Sequence, residues 1–314
     1  MIGRDDVHAA QQRTAGHVRR TPLLQVGPTA WLKLEFLQHT GSFKARGAFN
    51  RQLAAAEWGE LDPAVGVVAA SGGNAGMAHA FAARSIGVPA TVFVPETTPA
   101  VKVDRLHAYG AAVRLVGSEY AEAYAAAVDF AEAAGAVFCH AYDQPEIAAG
   151  AGVLAAEVLA DLPDTDTVVV AVGGGGLMAG VLAAVDGRAR VVAVEPATAP
   201  TLSAALAAGA PVDVEVSGVA KDSLGARRIG AIAFEVATAG ADLVSLLVGD
   251  DDIVTARAAL WSDLRIAAEH GAAAAHAALT SRAYVPAAGE RVVTVICGAN
   301  TDPGSLAAAP AERA

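Results

Sequence analysis

Lysines are scarce in this chain, and one of them is oddly placed. Lys44 lies in Gln38-His39-Thr40-Gly41-Ser42-Phe43-Lys44-Ala45-Arg46-Gly47. The segment before it, Trp31-Leu32-Lys33-Leu34-Glu35-Phe36, alternates like a strand, and residues 45–56 after it read as a helix. Ser42 or Thr40 is expected to cap that helix. Lys44 therefore falls in a first helical turn, where a cation opposes the helix dipole by up to about 1 kcal/mol. An amine that is neutral, or bound as an imine, escapes most of that penalty, so nucleophilic and base chemistry are open to it. The remaining lysines suggest no chemistry: Lys33 on a sheet face, Lys102 solvated, and Lys221 paired with its neighbour Asp222.

Three turns, each expected to follow a strand, are the other candidates: Ser71-Gly72-Gly73-Asn74, Gly173-Gly174-Gly175-Gly176 and Cys297-Gly298-Ala299-Asn300. Ligands of open α/β sheets bind beyond the carboxyl ends of strands, so all three are expected to line one crevice. Gly173 to Gly176 opens a helix and offers free amides that suit a phosphate. One glycine satisfies a turn of positive φ; four in a row favour close approach of a ligand. No Gly-Lys-Ser/Thr follows, which excludes a Walker loop. Gly174-Gly175-Gly176-Leu177-Met178-Ala179 fits the Ala variant of the dinucleotide fingerprint, and Glu195 ends the next strand. A NAD-dependent oxidoreductase is thus an open alternative. Ala69-Ala70-Ser71-Gly72-Gly73 approximates a nucleophile elbow but lacks its first glycine. His270 and His276 add no acid arrangement, which makes a serine hydrolase remote.

The elements that must position these turns alternate. Strands are expected over 65–70, 90–94, 112–116, 137–139, 167–172, 191–194, 242–248 and 291–296, with helices between most of them. Such alternation with short connections means parallel sheet covered on both faces. The chain of 314 residues exceeds one typical core, yet shows no linker. If two domains exist, the chain crosses between them near Phe43 and His140. A formal net charge of -11 without a Lys/Arg cluster argues against nucleic acid or anionic membrane as partner. No apolar run reaches the roughly 18–20 residues of a membrane span. The charged start, Met1 to Asp6, lacks the apolar core of a signal peptide. Cys139 and Cys297 have no metal-like spacing and read as reduced thiols, so a cytoplasmic protein is expected.

Taken in order, Gly41-Ser42-Phe43-Lys44-Ala45-Arg46-Gly47-Ala48, Ser71-Gly72-Gly73-Asn74-Ala75-Gly76, Gly173 to Gly176 and Cys297-Gly298-Ala299-Asn300 resemble the fold-type II pyridoxal-phosphate enzymes, specifically the serine/threonine dehydratases. The resemblance spans nearly the whole chain. It implies two open, twisted, mostly parallel sheets covered by helices, with the smaller domain (44–140, carrying a mobile substrate loop) inserted in the larger (1–43 and 141–314). Pyridoxal 5'-phosphate would sit in the cleft between them. Lys44 would bind it as an imine, with Phe43 on one ring face and Ala220 on the other. Gly173, Gly174, Gly175, Gly176 and the Leu177 amide would hold the phosphate, Asn74 the ring hydroxyl and Cys297 the ring nitrogen. Ser71, Gly72, Gly73, Asn74 and Ala75 would hold the substrate carboxylate. Glu195 would be a candidate ligand for a monovalent cation such as K+.

The reaction implied is β-elimination from L-serine or L-threonine to a 2-oxo acid and ammonia. β-Replacement, as in cysteine synthases, and dehydration of another hydroxy amino acid such as 3-hydroxyaspartate are the alternatives on the same fold. Related racemases carry a serine where this chain has Gly72, so racemisation is not expected. The SGGNAG form and the Cys turn lean toward the liver-type serine dehydratases, with catabolic threonine dehydratases close. A homodimer is the implied assembly. The chain as given ends at Ala314, and feedback control through a C-terminal domain is not expected.

Overall fold

Valine-rich runs too short for helices form the strands, and the alanine-rich segments between them, with little side-chain entropy to lose, form the helices. A computed structural model describes residues 1–240 and 242–307. Residues 308–314, the end of the expected large domain, lie outside the described residues. In chain order the elements are α1 (Arg4–Arg13), β1 (Leu23–Gly27), β2 (Ala30–Lys33), α2 (Lys44–Glu57), β3 (Val67–Ala70), α3 (Asn74–Ile86), β4 (Ala90–Val94), α4 (Ala100–Ala108), β5 (Ala112–Leu115), α5 (Tyr120–Ala134) and β6 (Val137–Cys139). There follow α6 (Pro145–Asp161), β7 (Thr167–Ala171), α7 (Gly176–Val185), β8 (Arg190–Pro196), α8 (Thr201–Ala208), α9 (Lys221–Leu224), α10 (Ala231–Thr238), β9 (Leu243–Val248), α11 (Asp250–Leu264), α12 (His270–Thr280), β10 (Val292–Val295) and α13 (Gly304–Ala307).

The strands form two sheets. The smaller, in the order β5-β4-β3-β6, is parallel throughout and uses only residues between 67 and 139. The larger runs β1-β2-β10-β7-β8-β9 and is parallel except at its β1–β2 edge, which pairs antiparallel. The expected α/β class with two mostly parallel sheets is therefore found. The edge hairpin is new: the sequence suggested only an extended segment at Thr21–Leu24. The strand expected over Trp31–Phe36 ends at Lys33, because residues 35–37 and 39–41 coil into two 3-10 turns. Every residue of β7 is buried, as a central parallel strand requires. α6 and α7 cross in close contact, where a Cβ at Gly180 would come within 2.1 Å of the Ala148 carbonyl oxygen. That contact fixes the helix behind the four-glycine turn.

Lys33 ends β2 and lies on a sheet face, as expected, but that face is covered. It is fully buried and belongs to a charged cluster with Glu35, Arg46 and Glu157. Arg46 donates to both Glu35 oxygens at 2.8 Å and to the Glu157 oxygens at 2.7 and 2.9 Å. Lys33 Nζ donates to Glu157 at 2.6 Å and to the Thr21 carbonyl at 2.6 Å, while the Thr21 hydroxyl donates to Glu35. Two cations face two carboxylates, so no net charge is buried. Burial alone would raise the Glu35 carboxyl and lower the Arg46 guanidinium. Their mutual attraction outweighs it, and Glu35 lies below, Arg46 above, its ordinary value. For Lys33, burial wins and its amine is lowered. The cluster ties the segment before Lys44 and the first turn of α2 to α6.

Candidate active site

Lys44 opens α2, as the sequence suggested, but neither Ser42 nor Thr40 caps the helix. Phe43 occupies the N-cap position, with no side-chain cap bond. The reason is a backbone pairing the sequence did not reveal. Ser42 is extended and bridges Gly298, Phe43 N donates to the Cys297 carbonyl at 3.0 Å, and Ala299 N donates to the Gly41 carbonyl at 3.0 Å. This turns the Ser42 side chain into the interior. The Ser42 and Thr40 hydroxyls are both buried without a hydrogen-bond partner. Thr40 adopts φ 60°, an uncommon conformation for a β-branched residue, and its carbonyl accepts from Asn300 Nδ2.

The same pairing brings the turn after β10 beside Lys44. Lys44 Nζ lies 4.9 Å from the Phe43 ring centroid and donates to the Ala141 carbonyl at 2.9 Å. Desolvation lowers its pKa to about 8 from the ordinary 10.5, against the upward pull of Cys297 and Glu269. In the cofactor-free protein, an amine-selective reagent is therefore expected to modify Lys44 with a midpoint near pH 8. Peptide mapping across a pH series checks this; a midpoint at the ordinary 10.5 contradicts it.

Asn74, first residue of α3, meets two residues that are far away in sequence. Its Nδ2 donates to Glu269 at 2.9 and 3.1 Å, and its Oδ1 accepts from Asn300 at 2.7 Å. Glu269, at the N-cap of α12, was missed: the sequence showed only a helix break at Glu269-His270-Gly271. A lone acid opening an alanine-rich helix was the available signal. Burial raises its carboxyl to about 7, against the hydrogen bonds from Asn74 and Asn300. Burial likewise pushes the Cys297 thiol up, with Glu269 adding to it, and leaves the thiol neutral.

A cavity of about 600 Å³ opens between the sheets, lined by Gly72, Gly73, Asn74, Lys102, Asp222, Glu269 and Asn300 among others. Lys102 is not an ordinary surface lysine. It pairs at 3.4 Å with Asp222, and so reaches from α4 to α9 across the cavity. Asp222 is thus engaged by Lys102, where its neighbour Lys221 was expected. Ser71 accepts from the Gly73 amide at 3.2 Å, and Ala75 lies buried in the first turn of α3. A Cβ at Gly72 would meet the Thr98 methyl at 3.3 Å, and the position carries no hydroxyl.

The four-glycine turn does not line this cavity. It adjoins Lys44 through Tyr142, the residue after Ala141, another that the sequence did not mark. A Cβ at Gly174 would lie 2.5 Å from the Tyr142 ring, one at Gly176 2.6 Å from the Tyr142 carbonyl oxygen, and one at Gly173 3.0 Å from Leu224. Only Gly175, at φ 85°, needs glycine for its conformation. Four glycines are thus explained first by packing, not by ligand approach. The packing leaves the first-turn amides of α7, Leu177 included, without side-chain caps. Ala220 is buried at the N-cap of α9.

Glu195, in β8, turns to the start of α8: it accepts from Thr201 Oγ1 at 3.0 Å and from the Leu202 and Ser203 amides at 2.7 and 2.9 Å. That capping use removes the ribose partner on which the NAD reading relied. Burial raises the Glu195 carboxyl despite these bonds. Among the described residues, no three His, Cys, Asp or Glu side chains gather as a metal site, and no helix is long and apolar enough to cross a membrane.

The chain is 37% identical over 306 residues to the L-threonine ammonia-lyase of Geobacter sulfurreducens, covering 94% of this chain and 75% of that protein. It superposes on the T.th. threonine deaminase with a TM-score of 0.86 at 31% identity, covering 96% of this chain and 99% of that one. On maize serine racemase the TM-score is 0.88 at 30% identity, with 97% and 95% covered. Residues 14–298 match the family described as pyridoxal-phosphate dependent enzyme. A desolvated lysine at the head of α2, two strand-end turns converging on it and these likenesses agree: the chain belongs to the pyridoxal-phosphate dependent enzymes of fold type II, within the serine/threonine dehydratase group.

Proposed function

We propose that this protein catalyses β-elimination of L-threonine, and of L-serine, to the 2-oxo acid and ammonia with pyridoxal 5'-phosphate as cofactor. The observation that carries the reading is the environment of Lys44: an amine lowered to about 8, beside Cys297 and Glu269, in a chain similar throughout to threonine ammonia-lyases. The residues fit the cofactor. The uncapped amides opening α7 suit its phosphate.

When bound, pyridoxal phosphate supplies the electron sink for a carbanion at the amino-acid Cα. The chain's own residues do the rest in this reading. Gly173 to Gly176 and the Leu177 amide would hold the phosphate, Phe43 and Ala220 would pack on the ring, and Asn74 and Cys297 would meet its polar atoms. The neutral Cys297 thiol would offer the ring nitrogen no charge, which suits β-elimination rather than transamination. The Ser71–Ala75 turn, at the amino end of α3, holds the substrate carboxylate. Lys44 Nζ would take the Cα proton and return it to the departing β-hydroxyl, which leaves as water, and the released enamine would add water to give the 2-oxo acid and ammonia. Gly72 offers no hydroxyl to return a proton from the opposite face, so racemisation is not part of the reading.

Residues 44–140 form the smaller, mobile domain in this proposal. The two buried, unbridged cysteines support a cytoplasmic location, and the family resemblance supports a homodimer. A K+ ion beside Glu195 would share a carboxylate that already caps α8. The test is 2-oxo acid and ammonia release from L-threonine and from L-serine by the protein loaded with pyridoxal phosphate, in potassium and in potassium-free buffer. Equimolar products at a turnover on the order of 10 per second are expected. Product that appears only when sulfide is added supports β-replacement instead, and equal rates in both buffers remove the cation.

A further inference from the structure

The Asn74 amide is held from two sides by unlike partners. Its Oδ1 accepts from Asn300 Nδ2 at 2.7 Å, and the same Asn300 nitrogen donates to the Thr40 carbonyl at 2.7 Å. Its Nδ2 donates to both oxygens of Glu269, at 2.9 and 3.1 Å. An ionised carboxylate only accepts, so it draws the nitrogen of the amide to its side, and the Asn300 donor keeps the oxygen on the other. Glu269 is itself fixed. Its backbone N donates to the Gly298 carbonyl at 3.1 Å, and a Cβ at Gly298 would come within 2.3 Å of Glu269 Oε1. Glycine at 298 leaves the room that the carboxylate fills.

We propose that Glu269 is a positioning residue: through Asn74 it makes an N–H, not a carbonyl, face the cofactor's ring oxygen. The assignment rests on the cofactor reading above. An N–H stabilises that oxygen when it is ionised, whereas a flipped amide would set a carbonyl dipole against it. The hold depends on the charge of Glu269, whose surroundings are Lys44 on α2, Asp222 on α9, Cys297 after β10 and the adjacent His270. Burial raises its carboxyl to about 7, so the acceptor that fixes Asn74 weakens as pH falls through neutrality.

The test is the absorption spectrum of the resting holoenzyme across pH, with the dissociation constant for pyridoxal phosphate, in wild type, Glu269→Gln and Asn300→Ala. Wild type is expected to show a spectral transition with a midpoint near pH 7. Glu269→Gln, which keeps the shape but lets the amide flip, is expected to lose that transition and to bind the cofactor about 5-fold more weakly. Asn300→Ala removes the restraint from the oxygen side. It is expected to weaken cofactor binding by a similar factor, and it carries the test should Glu269→Gln not fold. A purely structural role would lower the thermal midpoint of the cofactor-free protein and leave the spectral midpoint in place. A Glu269→Gln protein with the wild-type midpoint and affinity overturns this assignment alone. A wild-type protein that takes up no pyridoxal phosphate overturns the cofactor reading with it.

Discussion

Lys44→Ala is expected to release no measurable 2-oxo acid from L-threonine, a loss of at least about 10²–10⁴-fold. The argument rests on what no neighbouring group can replace. Nζ is the amine set against Phe43, Cys297 and Glu269, and its pKa of about 8 leaves a usable neutral fraction near neutral pH. Lys33 is fully buried in the ion cluster, and Lys102 is paired with Asp222 across the cavity. Neither can take its place without breaking those contacts. Lys44→Arg is not expected to rescue activity, because a guanidinium stays protonated at any working pH and cannot accept the Cα proton. Borohydride reduction of the loaded protein followed by peptide mapping should place the cofactor on Lys44 in wild type and nowhere in Lys44→Ala. A variant that keeps full turnover would end the proposed mechanism.

The largest effect on stability is expected from Arg46→Met. Arg46 is fully buried and makes four short hydrogen bonds to two carboxylates. Removing it leaves Glu35 and Glu157 facing one lysine, with an uncompensated buried charge. Breaking such a pair from one side costs about 3–5 kcal/mol. Arg46→Lys should recover only part of this, since a single ammonium cannot address both carboxylates as a planar fork does. The urea midpoints of the three proteins decide it. A Met variant as stable as wild type would show that the cluster contributes no net stability.

The pH dependence follows from Glu35. Its carboxyl is lowered in the folded protein, so its contribution is present above the ordinary value of 4.5 and fades as pH falls through the lower, folded value. Wild-type stability should therefore drop below about pH 4.5, and more gently in the Arg46→Met background, where the lowering partner is gone. Arg46 stands two residues beyond Lys44, so the same loss should loosen the first turn of α2 and lower turnover without removing any group that touches substrate.

Much of this is legible in the sequence. Alternation of valine runs with alanine-rich segments gave α/β order because strand and helix bury apolar side chains at different periods, which a linear pattern records. The glycine turns and the odd place of Lys44 were visible for the same reason: backbone demands are local. Side-chain partnerships were not. Glu269 is 195 residues from Asn74 in sequence, and nothing local marks an acid that will be buried. Tyr142 reads as an ordinary aromatic until its ring is found against Gly174. The carboxylate partners of Lys33 and Lys102 are not legible either, because they come from helices distant in sequence.

The chain's residue types and spacing thus carried the class of fold, the family and the candidate lysine, since each follows from short-range geometry and from motifs in order. Only the folded arrangement decided the electrostatics of the site. The pairing of residues 41–43 with the turn at 297–299 sets Lys44 beside Cys297. The approach of α12 to α3 sets Glu269 against Asn74. The burial of both lowers the amine and raises the carboxyl. Desolvation is a property of three-dimensional enclosure, and that is why the sequence could name the lysine but not its charge.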